Sequence, residues 1–119
     1  MRLFEGDFLI FVLAKAIPND DEAAKKIIQF SEDLIDNSRK EKGNIEYNLY
    51  SDSEELSLLF VEKWESIEIL DSHLQTEHFI KFGNNIANLL AQDFIINVLK
   101  QILLKFSFIL IFFLYMVVF

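Results

Sequence analysis

Residues 62–79 read EKWESIEILDSHLQTEHF, and the fold turns on how this stretch is parsed. Glu62 and Trp64 stand two apart, the spacing that puts both side chains on one face of a strand. Glu65 and Ser66 then turn the chain, and Ser66 suits a helix N-cap. Ile67, Leu70 and Leu74 follow at helical spacing. Thr76 offers a second cap, after which Phe79, Phe82, Ile86, Leu89 and Leu90 recur at three- and four-residue steps. A strand that delivers a Trp directly into a His-bearing helix sets polar and aromatic groups side by side. Such a junction serves either a small-molecule pocket or the edge of a core.

Working outward, residues 8–13 are a continuous apolar run, FLIFVL, closed by Ala14, Lys15 and Ala16. Arg2 and the small Ala14 and Ala16 imitate a secretory signal, but Glu5, Asp7 and the short apolar run predict a buried first strand instead. Pro18 ends it. Asn19 is read as a helix N-cap with Glu22 as its capping-box partner, and acids crowd the first turn where the dipole favours them. Ala24, Ile27, Ile28, Leu34 and Ile35 form the apolar stripe, Lys40 and Lys42 suit the C-terminal end, and Gly43 is placed at C′. Residues 45–50 alternate: Ile45, Tyr47 and Leu49 face one way, Glu46, Asn48 and Tyr50 the other. A turn at residues 51–55 leads into a strand over 56–64, making an antiparallel hairpin. Gln92 and Asp93 close the helical region, and residues 94–102 read as the last strand. The order is β-α-β-β-α-β, a ferredoxin-like α+β arrangement.

The stretches GNIEYNLY (43–50), FVEKWES (60–66) and HLQTEHF (73–79) resemble the antibiotic biosynthesis monooxygenase family, whose small members include bacterial quinol monooxygenases. The resemblance spans about residues 8–103. It implies two ferredoxin-like subunits packed sheet on sheet as a dimeric α+β barrel, each keeping a pocket between sheet and helices. It implies oxidation of an electron-rich quinol or phenol by molecular oxygen, without flavin or metal. It places a Trp at the strand end in the pocket, here Trp64, and a His on the helix, here His73. A related branch degrades haem with an Asn on the first strand and a Trp and a His on the second helix. Here residues 8–16 contain no Asn, His73 stands where that Trp would fall, and the His position falls near Gly83, so haem degradation is set aside.

The residues themselves leave choices open. His73 and His78 are the only histidines, and five residues is about 500° of one helix, so as a same-face metal pair they do not qualify. Each alone serves as a capping or hydrogen-bonding group unless a substrate is at hand. Trp64 alone would be a core aromatic. Glu62, if inward, needs a partner or a raised pKa. Tyr47 could present a phenol to a bound quinol or simply pack. The candidate site is therefore His73, Trp64 and Glu62 for chemistry, with Tyr47, His78 and Phe79 for substrate binding, and no metal.

Composition excludes several classes. The net charge is −8 with no basic stripe, against nucleic-acid binding. No cysteine means no disulfide framework or thiolate metal site. No G-x-G-x-x-G or P-loop signals a nucleotide. The expectation is a cytoplasmic, cofactor-independent monooxygenase acting as a homodimer; the alternative is a non-oxygenase isomerase or binding protein of the same fold. Strands 45–50 and 56–64 carry more apolar side chains than one helical layer covers, which also predicts association through the sheet.

All nineteen acidic residues lie at or before Asp93, whereas residues 102–119 carry only Lys105 as a charge. The chain therefore divides into a domain over 1–102 and an apolar tail over 103–119. Three readings of the tail stand: a short membrane anchor, a packed element, or an extension foreign to the fold. A spanning helix wants about 20 apolar residues, and the tail falls just short.

Overall fold

The computed structural model describes residues 8–102. Strand β1 (Phe8–Ala16) is followed by helix α1 (Asp21–Arg39), then by the hairpin strands β2 (Asn44–Ser51) and β3 (Leu58–Trp64). Two short helices come next, α2 (Ile67–His73) and α3 (Glu77–Ile86), then a 3-10 turn (Ala87–Leu89) and strand β4 (Ile95–Ile102). The sheet order is β2-β3-β1-β4, and every neighbouring pair is antiparallel. This is the ferredoxin-like arrangement expected. The tail readings lie outside the described residues. Among the described residues, no helix is long and apolar enough to cross a membrane.

Period-2 burial along β1 and β3 separates the sheet faces. Ile10, Val12, Ala14 and Ala16 of β1, with Leu58, Phe60, Glu62 and Trp64 of β3, point under the helices and are buried. Ile27 and Leu34 of α1 and Phe82 and Ile86 of α3 close the core from above. The opposite face carries Phe11, Leu13, Leu59 and Val61, half-buried, on the side of the sheet away from the described helices. Its apolar centre thus lies on β1 and β3, and β2 contributes the more polar Glu46 and Asn48. Of the two strands expected to carry the apolar surface, 45–50 and 56–64, the second does so, together with β1. On the inner face, Ile96 and Val98 of β4 are 59% and 49% exposed.

Local rules explain most boundaries, and four differ from expectation. Ser66 and Thr76 cap α2 and α3, their hydroxyls accepting from the amides of Ile69 and Phe79. On α1 the cap is Asp20, not Asn19: Asp20 Oδ1 accepts from Ala23 N at 2.8 Å. Asn19 is drawn off into a tertiary tie, donating its Nδ2 to Asn88 O at 3.0 Å. Gly43 has the positive φ of 85° expected of a C′ glycine but stands beyond the helix end, Lys40 being the cap. It instead shapes the turn into β2, and its carbonyl accepts from Glu65 N at 2.9 Å. A Cβ there would collide with Ile69 of α2, so the glycine lets α2 close on this turn. Ile45 is 45% exposed because a bulge between Asn44 and Glu46 interrupts the alternation that Tyr47 and Leu49 keep. Finally, Ile67 and Leu74 are exposed and only Leu70 of that stripe is buried, since α2 is under two turns long.

Candidate active site

A cavity of about 270 Å³ opens between the inner sheet face and α2–α3. Its floor is Val12, Ala14, Phe60, Ile96 and Val98; its roof includes Leu70, Phe79, Phe82 and Ile86. Among the described residues, two polar side chains reach its wall, Tyr47 from β2 and Glu62 from β3. Both are on the helix-facing side of the sheet, as the alternation in β2 and β3 requires.

Glu62 is buried, with 6% of its surface exposed. Trp64, two residues on along the same face, donates its indole Nε1 to Glu62 Oε1 at 3.0 Å. Burial pushes the Glu62 carboxyl up to about 7; the indole bond pulls the other way and the charge of Glu41 adds to the rise. Burial and the nearby Glu62 charge push the Tyr47 phenol well above its ordinary range, so it remains protonated.

Trp64 and His73 lie behind this wall. They are 0% and 1% exposed and touch each other, ring centroids 4.5 Å apart, but they do not line the cavity. The resemblance implies Trp64 in the pocket and His73 on its helix; in the structure Glu62 and Tyr47 face the cavity, and Trp64 and His73 support them. The Tyr47 hydroxyl meets His73 Nε2 at 3.4 Å, and His73 Nδ1 donates to Glu41 Oε2 at 2.7 Å. Burial lowers the His73 pKa, with the Glu41 bond opposing it, which favours a neutral ring. With Nδ1 carrying the hydrogen, Nε2 accepts from Tyr47. Phe79 lines the cavity and also stacks edge-on against His73 at 5.1 Å between ring centroids.

The break at residues 74–76 changes the relation of the two histidines. His73 ends α2 and His78 stands in the first turn of α3, so the one-helix angle does not apply. His78 Nε2 donates to the same Glu41 Oε2 at 2.9 Å. His78 is therefore drawn to Glu41 on the far side of His73, away from the cavity wall where substrate contact was expected. Glu41 is the site residue that sequence reasoning missed. It sits between two lysines in a turn without periodicity, and only the tertiary path of α1 into β2 brings it over the α2–α3 break.

Residues 10–84 match the antibiotic biosynthesis monooxygenase family. The chain belongs to that family. It is 36% identical over 90 residues to the uncharacterized protein sll1783 of Synechocystis sp., covering 75% of this chain but only 61% of that relative's length. It is 30% identical over 74 residues to YcnE of Bacillus subtilis, named as a candidate monooxygenase, covering 61% of this chain and 78% of that one. A crystal structure of a conserved protein from Methanosarcina mazei Go1 superposes with a TM-score of 0.74 at 27% identity, covering 77% of this chain and 91% of that one. Rv0793 from Mycobacterium tuberculosis gives a TM-score of 0.74 over 83% of this chain and 99% of that one; at 24% identity it speaks for the fold. The α+β fold and the monooxygenase-like family membership are therefore established together.

Proposed function

We propose that the protein oxidises a small electron-rich aromatic, a quinol or phenol, with molecular oxygen and with no flavin or metal in the reaction, working as a homodimer packed through the sheet face opposite the described helices. The observation that carries this reading is the apolar cavity with one carboxyl and one phenol in its wall. At about 270 Å³ it falls near the small end of ligand pockets, about 300–1,000 Å³, a size for one or two fused rings. Phe60, Phe79 and Phe82 suit a flat π-system.

In this reading Glu62 is the base. A carboxyl titrating near 7 is about half ionised at neutral pH and matched to removing a hydroxyl proton from the substrate. The Tyr47 oxygen, its hydrogen committed to His73, accepts from a second hydroxyl and orients the ring. The aryl-oxide passes an electron to oxygen, and the radical pair joins at a free ring carbon as a peroxide. Glu62 returns its proton to the outer peroxide oxygen, the O–O bond breaks, and that oxygen leaves as water with the ring carbon's hydrogen as its second proton, so the carbon is left as a new carbonyl. One oxygen atom enters the product and the other leaves as water. Trp64 holds Glu62 in position, and His73 does the same for Tyr47; neither touches the substrate.

The test is oxygen uptake with a reduced naphthoquinol and a panel of phenols, without added flavin or metal. Uptake above the uncatalysed rate, reduced about 10²-fold or more in Glu62→Gln, is the expected result. His73→Ala should lower turnover through Tyr47 without removing substrate affinity altogether. No uptake with any panel member would sink the oxygenase reading and leave a binding or isomerising role.

A further inference from the structure

We propose that Glu41, His73 and His78 bind one divalent transition ion of the Zn²⁺ class, at a site outside the cavity and behind Tyr47. Two imidazole nitrogens and one carboxylate oxygen form a donor set that a borderline ion accepts and that Mg²⁺ or Ca²⁺, which want all-oxygen shells, do not. Three separate pieces of backbone supply it: the turn after α1, the last residue of α2 and the first turn of α3. His73 Nδ1, His78 Nε2 and a Glu41 oxygen all lie within 4.8 Å of one another.

Loading requires the contacts with Glu41 to open and the two ring nitrogens, which stand up to 4.8 Å apart against about 3.3 Å in a loaded site, to close. Tetrahedral ligands at about 2.0–2.1 Å from Zn²⁺ are about 3.3 Å apart. The Glu41 Oε2 separations from His73 Nδ1 and His78 Nε2 are 2.7 and 2.9 Å, so each must open by about half an ångström. The side chains that must move can do so: those of Glu41 and His78 are each 17% exposed, while that of His73, at 1%, forms the fixed floor. The solvent side of Glu41 and His78 gives entry to the ion and a water for the fourth position. The floor is itself oriented from behind, since its other nitrogen meets the Tyr47 hydroxyl, the kind of outer contact that fixes a ligating ring.

Loading has a consequence inside the cavity. Metal on His73 Nδ1 moves the ring hydrogen to Nε2, which then donates to the Tyr47 oxygen. The Tyr47 hydroxyl hydrogen, formerly committed to His73, becomes free to donate into the cavity. The ion thus converts Tyr47 from acceptor to donor without touching the substrate.

The test uses the full, untagged chain after chelator treatment, titrated with Zn²⁺ by calorimetry and followed by ¹⁵N signals of the two imidazoles. One Zn²⁺ per chain should bind, shifting Nδ1 of His73 and Nε2 of His78, and Mg²⁺ should not reproduce this. Glu41→Gln and His78→Ala, both at partly exposed positions, should each weaken binding on the order of a hundredfold, at least the loss seen when outer-shell contacts of metal sites are removed. Circular dichroism confirms that each variant is folded. No Zn²⁺ uptake, uptake that survives both substitutions, or equal uptake of Mg²⁺ would each overturn the proposal and leave Glu41 as a hydrogen-bond acceptor only. The titration reads binding, so its failure leaves the oxygen-uptake reading standing.

Discussion

Replacing Glu62 by Gln tests the state of the one carboxyl in the cavity wall. Gln keeps an oxygen for the Trp64 indole and nearly the same volume, but cannot ionise. In the wild type, a rise from 4.5 to about 7 means that the folded chain holds a proton over a window where the unfolded chain has lost it. Stability from this group is therefore full below pH 4.5 and declines as pH rises towards 7. The whole decline is about 3 kcal/mol. The neighbouring His73 works in the opposite sense. Its lowered pKa favours the neutral ring in the folded state, so its contribution is lost as pH falls below its ordinary 6.5. Both chains keep His73, so the difference between them isolates Glu62. Urea unfolding of wild type and variant should be measured from about pH 4 to pH 8. The variant should gain about 3 kcal/mol relative to wild type across that range. The absolute offset is less informative, because the new amide must find an acceptor, at a cost of about 1–3 kcal/mol if it fails. Parallel stability curves would show that Glu62 ionises in the folded protein as it does in water, and the base assignment would lose its footing.

Gly43→Ala should destabilise the fold by about 1–3 kcal/mol, since the residue has positive φ and its new Cβ meets Ile69. An unchanged urea midpoint would mean that α2 is not held against this turn. Gly83→Ala should do the reverse, because a Cβ there meets nothing within 4 Å and the position lies in the interior of α3. A gain of about 0.5–1 kcal/mol is expected, with turnover of two-ring substrates falling more than that of one-ring substrates, because Gly83 lines the cavity. Val61→Glu, on the sheet face opposite the described helices, should shift a sedimenting dimer towards monomer; a wild-type monomer would remove the sheet-on-sheet association altogether.

The architecture was legible because its signals are local and periodic. Ser66 and Thr76 announce two helix starts, and the two-residue step from Glu62 to Trp64 places both under the helices. The bulge at Ile45 was not legible, since alternation continues across it in the sequence. Nor was the choice of Asp20 over Asn19, because both can cap and only a contact with Asn88 decides between them. The site was legible in membership more than in arrangement. Tyr47, Glu62, Trp64, His73 and Phe79 do gather, but which ones face the cavity depends on the depth of each side chain beneath α2 and α3. The turn of about 500° between His73 and His78 holds only for one continuous helix, and Thr76, as the cap of α3, ends that continuity. Once α2 ends, the angle between the two histidines is set by the break.

The layering of the site follows from burial costs. An imidazole or an indole in the cavity wall would have to satisfy its polar atoms with whatever ligand arrives. Here Trp64 donates to Glu62 and His73 donates to Glu41, so both stay satisfied when the cavity is empty. The groups left facing the cavity are those that can bear an unfilled state. Glu62 does so by holding a proton at low cost, because burial has already raised its pKa. Tyr47 does so by giving its hydrogen to His73, leaving only lone pairs exposed. An apolar ligand entering such a cavity displaces little bound polar structure, and its binding draws mainly on contact with Phe60, Phe79, Phe82 and Val98. In the proposed reaction, ring recognition and hydroxyl chemistry therefore fall to different atoms. Variants in the supporting layer should change rate through geometry, whereas variants in the apolar wall should change which ring fits.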